Sequence, residues 1–210
     1  MMKEIADRIS LYNRQRKWRK FLVIAQPDHR LKILDVGFSE QEYSPGDNFL
    51  EKNYPYPENI TALGIDRADD FKKRYPRVTT VEYRGGLLPF PDRAFGLNWS
   101  NAVLEHVGSR EEQVLFLREL KRVGNKTFLT TPNRHFPFEV HTHIPFLHWL
   151  PKRWFDFFLV QLGKSWASGL YMNLLTLRQI KKLLHNAGIE EYCILRNRLL
   201  FCTLDYIVLF

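Results

Sequence analysis

Two short apolar runs set the frame for this chain. LKILDVG (residues 31–37) closes on Asp35 and Gly37, and ITALGID (residues 60–66), about thirty residues on, closes on Gly64 and Asp66. Continuous apolar runs of this length are buried strands of a parallel sheet, and two parallel strands need a crossover of a dozen or more residues between them. The connection here is long enough, so the pair predicts a right-handed crossover unit. Three further strands follow from β-branched and aromatic content: VTTVEY (78–83), FGLNWS (95–100) and KTFLTTP (126–132). EYCIL and DYIVLF supply a closing pair.

Helices fall between the strands. Residues 3–24 carry Ile5, Ile9, Tyr12 and Phe21 on one side and end before Pro27. Ser109 and Glu112 form a capping box ahead of a helix stopped by Gly124, and Thr176 with Gln179 opens TLRQIKKLLHNA, ended by Gly188. Strands alternating with helices and a final hairpin predict an α/β protein with an open, mostly parallel sheet covered on both faces. Ligands bind such sheets beyond the carboxyl ends of the strands, where Asp35, Gly37, Asp66, Arg84, Ser100, Asn101 and Thr131 stand.

At 210 residues the chain is read as a single domain, residues 1–210, with a basic helix at 1–24 and an insert at 133–175. The insert is rich in proline, histidine and aromatics and breaks the strand–helix rhythm, as a lid or acceptor-binding element does. A net charge of +8 favours an anionic partner without choosing among nucleic acid, membrane surface and phosphorylated substrate. Much of the excess sits in YNRQRKWRKF (12–21), read as a solvated helix face or a contact to an anionic surface. No run of about eighteen apolar residues exists and the first ten residues lack the apolar core of a signal peptide, so the expected compartment is the cytoplasm, or the inner face of the membrane as a peripheral protein. Cys193 and Cys202 suit free thiols there; a hairpin turning at Asn197-Arg198 would set them face to face across two strands.

LPFPDRAFGLNWSNAVLEHVG (88–108) and FLTTPNRHFPFEVHTHIPFLHWLP (128–151) resemble class I S-adenosylmethionine-dependent methyltransferases of the small-molecule type 11 branch, and the resemblance runs from about residue 31 to the end. It implies a Rossmann-like domain with a seven-stranded sheet, an antiparallel carboxyl-terminal hairpin and a lid insert after the fifth strand. The implied cofactor is S-adenosylmethionine, held by Asp35, Val36, Gly37 and Phe38 at the first turn, Asp66 and Arg67 at the second, Gly85, Gly86 and Leu87 at the third, and Ser100 and Asn101 at the fourth. This cofactor has no phosphate, so its turn needs fewer free backbone N–H groups than a three-glycine pyrophosphate site. Asp66 has two oxygens to offer two ribose hydroxyls. The chain departs from the family at Phe38-Ser39-Glu40, which replaces a second glycine, at Arg84, where an acidic or amide residue commonly meets adenine, and at Gly96.

The implied reaction is methyl transfer to a small-molecule acceptor, with a sugar or lipid-linked glycan intermediate as the candidate class. Positioning supplies much of such an in-line displacement, and a base is needed only for a hydroxyl or protonated amine. The candidate bases are His106, His141 and His143, with Glu139 beside them. EVHTH lacks an identifiable fourth ligand, so no metal is expected. Phe146, Trp149, Trp154, Phe155, Phe157 and Phe158 are read as lid packing, acceptor wall or a membrane-facing patch. A nicotinamide oxidoreductase is disfavoured by the missing glycines, nucleic acid by the lack of a base-flipping motif. A methyltransferase-like scaffold without cofactor is the alternative to an enzyme.

Overall fold

The computed structural model describes residues 2–65, 67–138, 144–165, 168–169 and 172–210, with backbone only for residues 2–8. The strands are β1 (Ile33–Val36), β2 (Ile60–Gly64), β3 (Thr79–Glu82), β4 (Leu97–Asn101), β5 (Thr127–Pro132), β6 (Cys193–Leu199) and β7 (Cys202–Leu209). They form one seven-stranded sheet in the order β3-β2-β1-β4-β5-β7-β6. β3, β2, β1 and β4 run parallel, with Asp35 opposite Ala62 and Trp99, and β6 and β7 are antiparallel. The helices are α1 (Met2–Ala25), α2 (Phe49–Asn53), α3 (Asp69–Arg74), α4 (Arg110–Val123), α5 (Lys152–Gln161) and α6 (Leu177–Asn186). This is the Rossmann-like fold of class I methyltransferases that the resemblance implied, with the parallel run and closing hairpin that the strand pattern predicted. No helix among the described residues is long and apolar enough to cross a membrane.

The chain divides into two compact units: residues 1–101 with 119–128, and residues 102–118 with 129–210. In the first, Phe21 of α1 is fully buried, edge-on to Trp99 at 4.7 Å and to Phe128 at 5.5 Å, while Trp99 and Phe128 stack at 5.1 Å. Of the expected buried stripe, Phe21 alone is buried among the described side chains. Ile9 and Tyr12 are exposed, and the inward face runs instead through Lys17 and Phe21. Those two are four apart and therefore stacked on one side of a helix.

The LPFPD segment is fastened to α4 by ion pairs and carbonyl contacts. Glu119, buried, accepts from the Leu88 N–H at 2.8 Å and from both arms of Arg122, which also donates to the Leu88 and Phe90 carbonyls. Gly96, where the family has a larger residue, sits under Leu31, whose Cδ1 would lie 2.6 Å from an added Cβ.

In the second unit both anticipated capping boxes are present. Ser109 and Glu112 exchange bonds at the α4 start, and Thr176 and Gln179 at the α6 start. Phe155 and Leu159 of α5 pack with Met172 in a small core. The hairpin turns at Leu200-Phe201, not at Asn197-Arg198, where the strand bulges; Cys193 therefore pairs with Leu209 and Cys202 with Leu199, and both thiols are free.

Candidate functional site

The carboxyl end of β1 is a buried acidic centre. Asp35 is 5% exposed, and Glu51, from α2, is 6% exposed and lies within hydrogen-bonding reach of it. Neither Glu51 oxygen receives a donor from another described residue. Two carboxylates are both acceptors, so their contact becomes a hydrogen bond only when one of them carries a proton. Burial first, then the Glu51 charge, holds the Asp35 carboxyl well above the usual carboxylate range, with Arg14 of α1 pulling the other way. Burial raises Glu51 as well. Such a pair retains a proton, or releases it to solvent when a cation is placed beside it.

The altered turn is a built structure. Gly37 takes a φ of 101°, open to glycine at little cost, and donates its N–H to Leu63 O at 2.8 Å. Phe38 is 6% exposed and packs on Phe71 at 4.5 Å and against Gly64, where an added Cβ would lie 2.6 Å from the ring. The glycine missing from the turn has in effect moved to the end of β2, where it makes room for the phenylalanine. Ser39 and Asn48 exchange bonds at 2.8 Å, closing the loop on itself. Glu40 accepts from the Asp70 and Phe71 N–H groups at the α3 start, satisfying donors that a helix leaves open.

Around this centre the anticipated residues divide. Val36 is buried in β1. Ser100, opposite Val36 in β4, is fully buried with its Oγ lacking a partner among the described residues. Asn101 accepts from Lys17 Nζ at 2.9 Å. Gly85 and Gly86 have φ of 97° and 88° and stand exposed with Leu87 and Arg84 in the loop after β3. Arg67 is exposed and paired with Asp69 at 2.8 Å. Asp66 lies outside the described residues.

Sequence reasoning missed Glu51, Arg14, Lys17 and Ile65, a large apolar side chain 78% exposed just past β2. For Arg14 and Lys17 a signal existed: with Phe21 they stand at intervals of three and four, on one helical face. Glu51 carries no comparable signal, because only the return of the 38–48 loop brings it under β1.

In the second unit His106 ends a 3₁₀ turn, Leu104–His106, its N–H donating to Val103 O at 2.8 Å. The neighbouring Glu105 is fully buried, takes a bond from Thr131 Oγ1 at 3.0 Å, and its carbonyl accepts from the Asn173 N–H. Glu139, His141 and His143 lie outside the described residues. Among the described residues no group of three His, Cys, Asp or Glu side chains gathers for a metal. A hollow lined by Asn133, Phe136, Phe138 and His148 among others has a cavity volume of about 20 Å³, room for a water molecule and not for a small-molecule ligand.

A parallel sheet with an acidic first-strand end and a glycine turn defines the nucleoside-binding Rossmann-like class. Residues 48–127 match the type 11 family model described as a methyltransferase domain. The match covers the strands from β2 to β4 and the LPFPD-to-LEHVG run, and stops short of the β1 turn and the insert. Solved structures agree in fold. An S-adenosylmethionine-dependent methyltransferase from Methanosarcina mazei is 14% identical, with TM-score 0.57 over 90% of this chain and 95% of its own. One from Aquifex aeolicus is also 14% identical, with TM-score 0.57 over 96% and 90%. The N-terminal domain of EvdMO1, solved with SAH bound, is 18% identical, with TM-score 0.55 over 94% and 79%. No curated protein matches the sequence.

Proposed function

We propose that this chain, as one catalytic domain, moves a methyl group from S-adenosylmethionine to a small-molecule acceptor of the sugar or lipid-linked glycan class. The observation that carries the cofactor geometry is the β1 end, where, beside the buried Asp35, both Glu51 oxygens and the Ser100 hydroxyl are buried with no hydrogen-bond partner among the described residues. Buried polar groups without partners are rare, and an ammonium group fits these. Asp35 and Glu51 receive the cofactor's amino group, with the backbone of Val36, Gly37 and Phe38 alongside. Arg14 and Lys17 supply positive charge for its carboxylate. Asp66 takes the ribose hydroxyls, with Arg67 next to it. Gly85, Gly86 and Leu87, with Ile65, make the adenine bed, and Ser100 and Asn101 face the methionyl end.

The bound cofactor supplies an electrophilic methyl on a sulfonium. The protein's part is to hold an acceptor in line and keep water out. His106, His141 and His143 are the groups assigned to take a proton from a hydroxyl acceptor. A lipid-linked acceptor implies contact with an anionic membrane surface, through either the basic N-terminal helix or the aromatic insert.

Titration calorimetry with S-adenosylmethionine and its demethylated product tests the cofactor reading. Wild-type protein binds both, and at a hundredfold excess over Kd the fold gains about 2.7 kcal/mol. Asp66→Ala loses binding with an unchanged unfolding midpoint. No heat and no stabilisation in wild type would overturn the reading. Incorporation of labelled methyl into the organic-extractable fraction of a cell extract tests the acceptor class; label confined to protein or nucleic acid refutes it. His141→Ala or His143→Ala lowers turnover more than cofactor affinity, and an unaffected rate removes them as bases.

A further inference from the structure

Helix α5 is apolar on two sides. Phe155 and Leu159, four apart, are buried in the local core. Trp154, Phe157 and Phe158 occupy the opposite face at spacings of three and four and are 46%, 50% and 40% exposed. Leu162, just past the helix, extends this strip. A soluble helix with one core stripe normally sets charged residues on its other face. Contiguous exposed aromatics of this kind mark an interaction surface.

The charge around the strip decides what it meets. Lys152 and Arg153 stand at its amino end and Lys164 beyond its carboxyl end. Arg153 lies 5.2 Å from the Trp154 ring, and the one acid of the helix, Asp156, is engaged by Lys152 at 2.5 Å. The strip is thus aromatic in the middle and cationic at both ends. A second copy docking across a two-fold axis would bring the amino end of one α5 to the carboxyl end of the other, setting like charges together. Anionic headgroups answer both ends at once, while tryptophan and phenylalanine take the headgroup–acyl boundary and the long basic side chains reach outward.

We propose that the outer face of α5, and not the basic N-terminal helix, is the surface by which this protein lies on anionic lipid. The N-terminal helix is committed elsewhere: Lys17 is buried and donates to Asn101, and the charge of Arg14 acts on Asp35. α5 is ten residues long, so it lies in the interface plane and does not enter the bilayer core. The inference rests on the membrane contact in the proposed function and is independent of cofactor binding.

Co-sedimentation of the full chain with phosphatidylcholine vesicles carrying about one-third phosphatidylglycerol tests it. Wild type pellets with these vesicles, partitions much less onto pure phosphatidylcholine, and is partly released at about 0.5 M salt. The triple variant Trp154→Ser, Phe157→Ser, Phe158→Ser and the double variant Arg153→Glu, Lys164→Glu each lose at least about tenfold in partitioning. Both keep the wild-type unfolding midpoint and the wild-type heat of S-adenosylmethionine titration. Arg16→Glu with Arg19→Glu on the N-terminal helix pellets like wild type. The proposal is overturned if wild type ignores anionic vesicles, or if the N-terminal variant loses binding while the α5 variants keep it. It is also overturned if the protein is a dimer that only the triple variant dissociates. Calorimetry separates these outcomes from failure of the cofactor reading, since lipid binding and cofactor heat are measured apart.

Discussion

Replacing Glu51 by glutamine isolates the acidic centre. Asp35 and Glu51 face each other out of water, and burial holds both carboxyls above their ordinary range. Folded protein therefore keeps a proton on the pair at pH values where the unfolded chain has released it. The native state then binds more protons than the unfolded state. That stability is fully present below the ordinary carboxyl pKa and declines as pH rises, by about 1.4 kcal/mol per pH unit for one retained proton, until the pair ionises. Other shifted carboxyls act elsewhere: Glu42 and Glu119 are lowered, so their contribution is complete above about pH 5 and lost only in acid. The glutamine amide donates to Asp35 without needing a proton. Glu51→Gln should therefore flatten the curve above about pH 5, its advantage over wild type growing by about 1.4 kcal/mol per pH unit while the wild-type pair stays protonated. Urea unfolding followed by tryptophan fluorescence from about pH 5 to pH 8 measures both slopes. The same variant should bind S-adenosylmethionine more weakly, having lost a charge for the ammonium group. Parallel stability curves for wild type and variant would refute the reasoning.

Other perturbations probe the supports of the site. Phe38→Ala should cost about 3–5 kcal/mol for the void beside Phe71, and Gly64→Ala about 1–3 kcal/mol by pressing on the ring. Combining Gly64→Ala with Phe38→Leu should cost less than the sum of the two single changes, and additivity in urea unfolding would contradict the packing of Gly64 on Phe38. Lys17→Met should release Asn101 and lower cofactor affinity about tenfold by calorimetry; an unchanged Kd removes Asn101 from the site. Glu119→Ala leaves the Leu88 N–H and Arg122 without their acceptor and should cost about 3 kcal/mol at neutral pH. Arg122 holds the Glu119 carboxyl below its usual range, so wild type loses this contribution as pH falls below about 4 and the variant does not. Equal acid sensitivity of the two proteins would count against that role.

The strand ends at Asp35 and Gly64, the two capping boxes and the LPFPD-to-LEHVG run were readable because each is a local signal: a few neighbouring residues fix strand burial, helix start or turn. Sequence by itself therefore determined the alternating α/β order, the methyltransferase resemblance and the first-strand acid. Tertiary structure alone decided that Glu51 lies under Asp35, that Gly64 accommodates Phe38, and that Glu40 caps α3 across thirty residues. It also set the hairpin turn at Leu200-Phe201, a register that pairs Cys193 with Leu209 and Cys202 with Leu199. α5 shows the same division: its aromatics were visible in sequence, but which of them face the core and which face water depends on what the helix packs against. Periodicity along a chain fixes the faces of an element, whereas long-range packing chooses which face is buried and which distant charges meet.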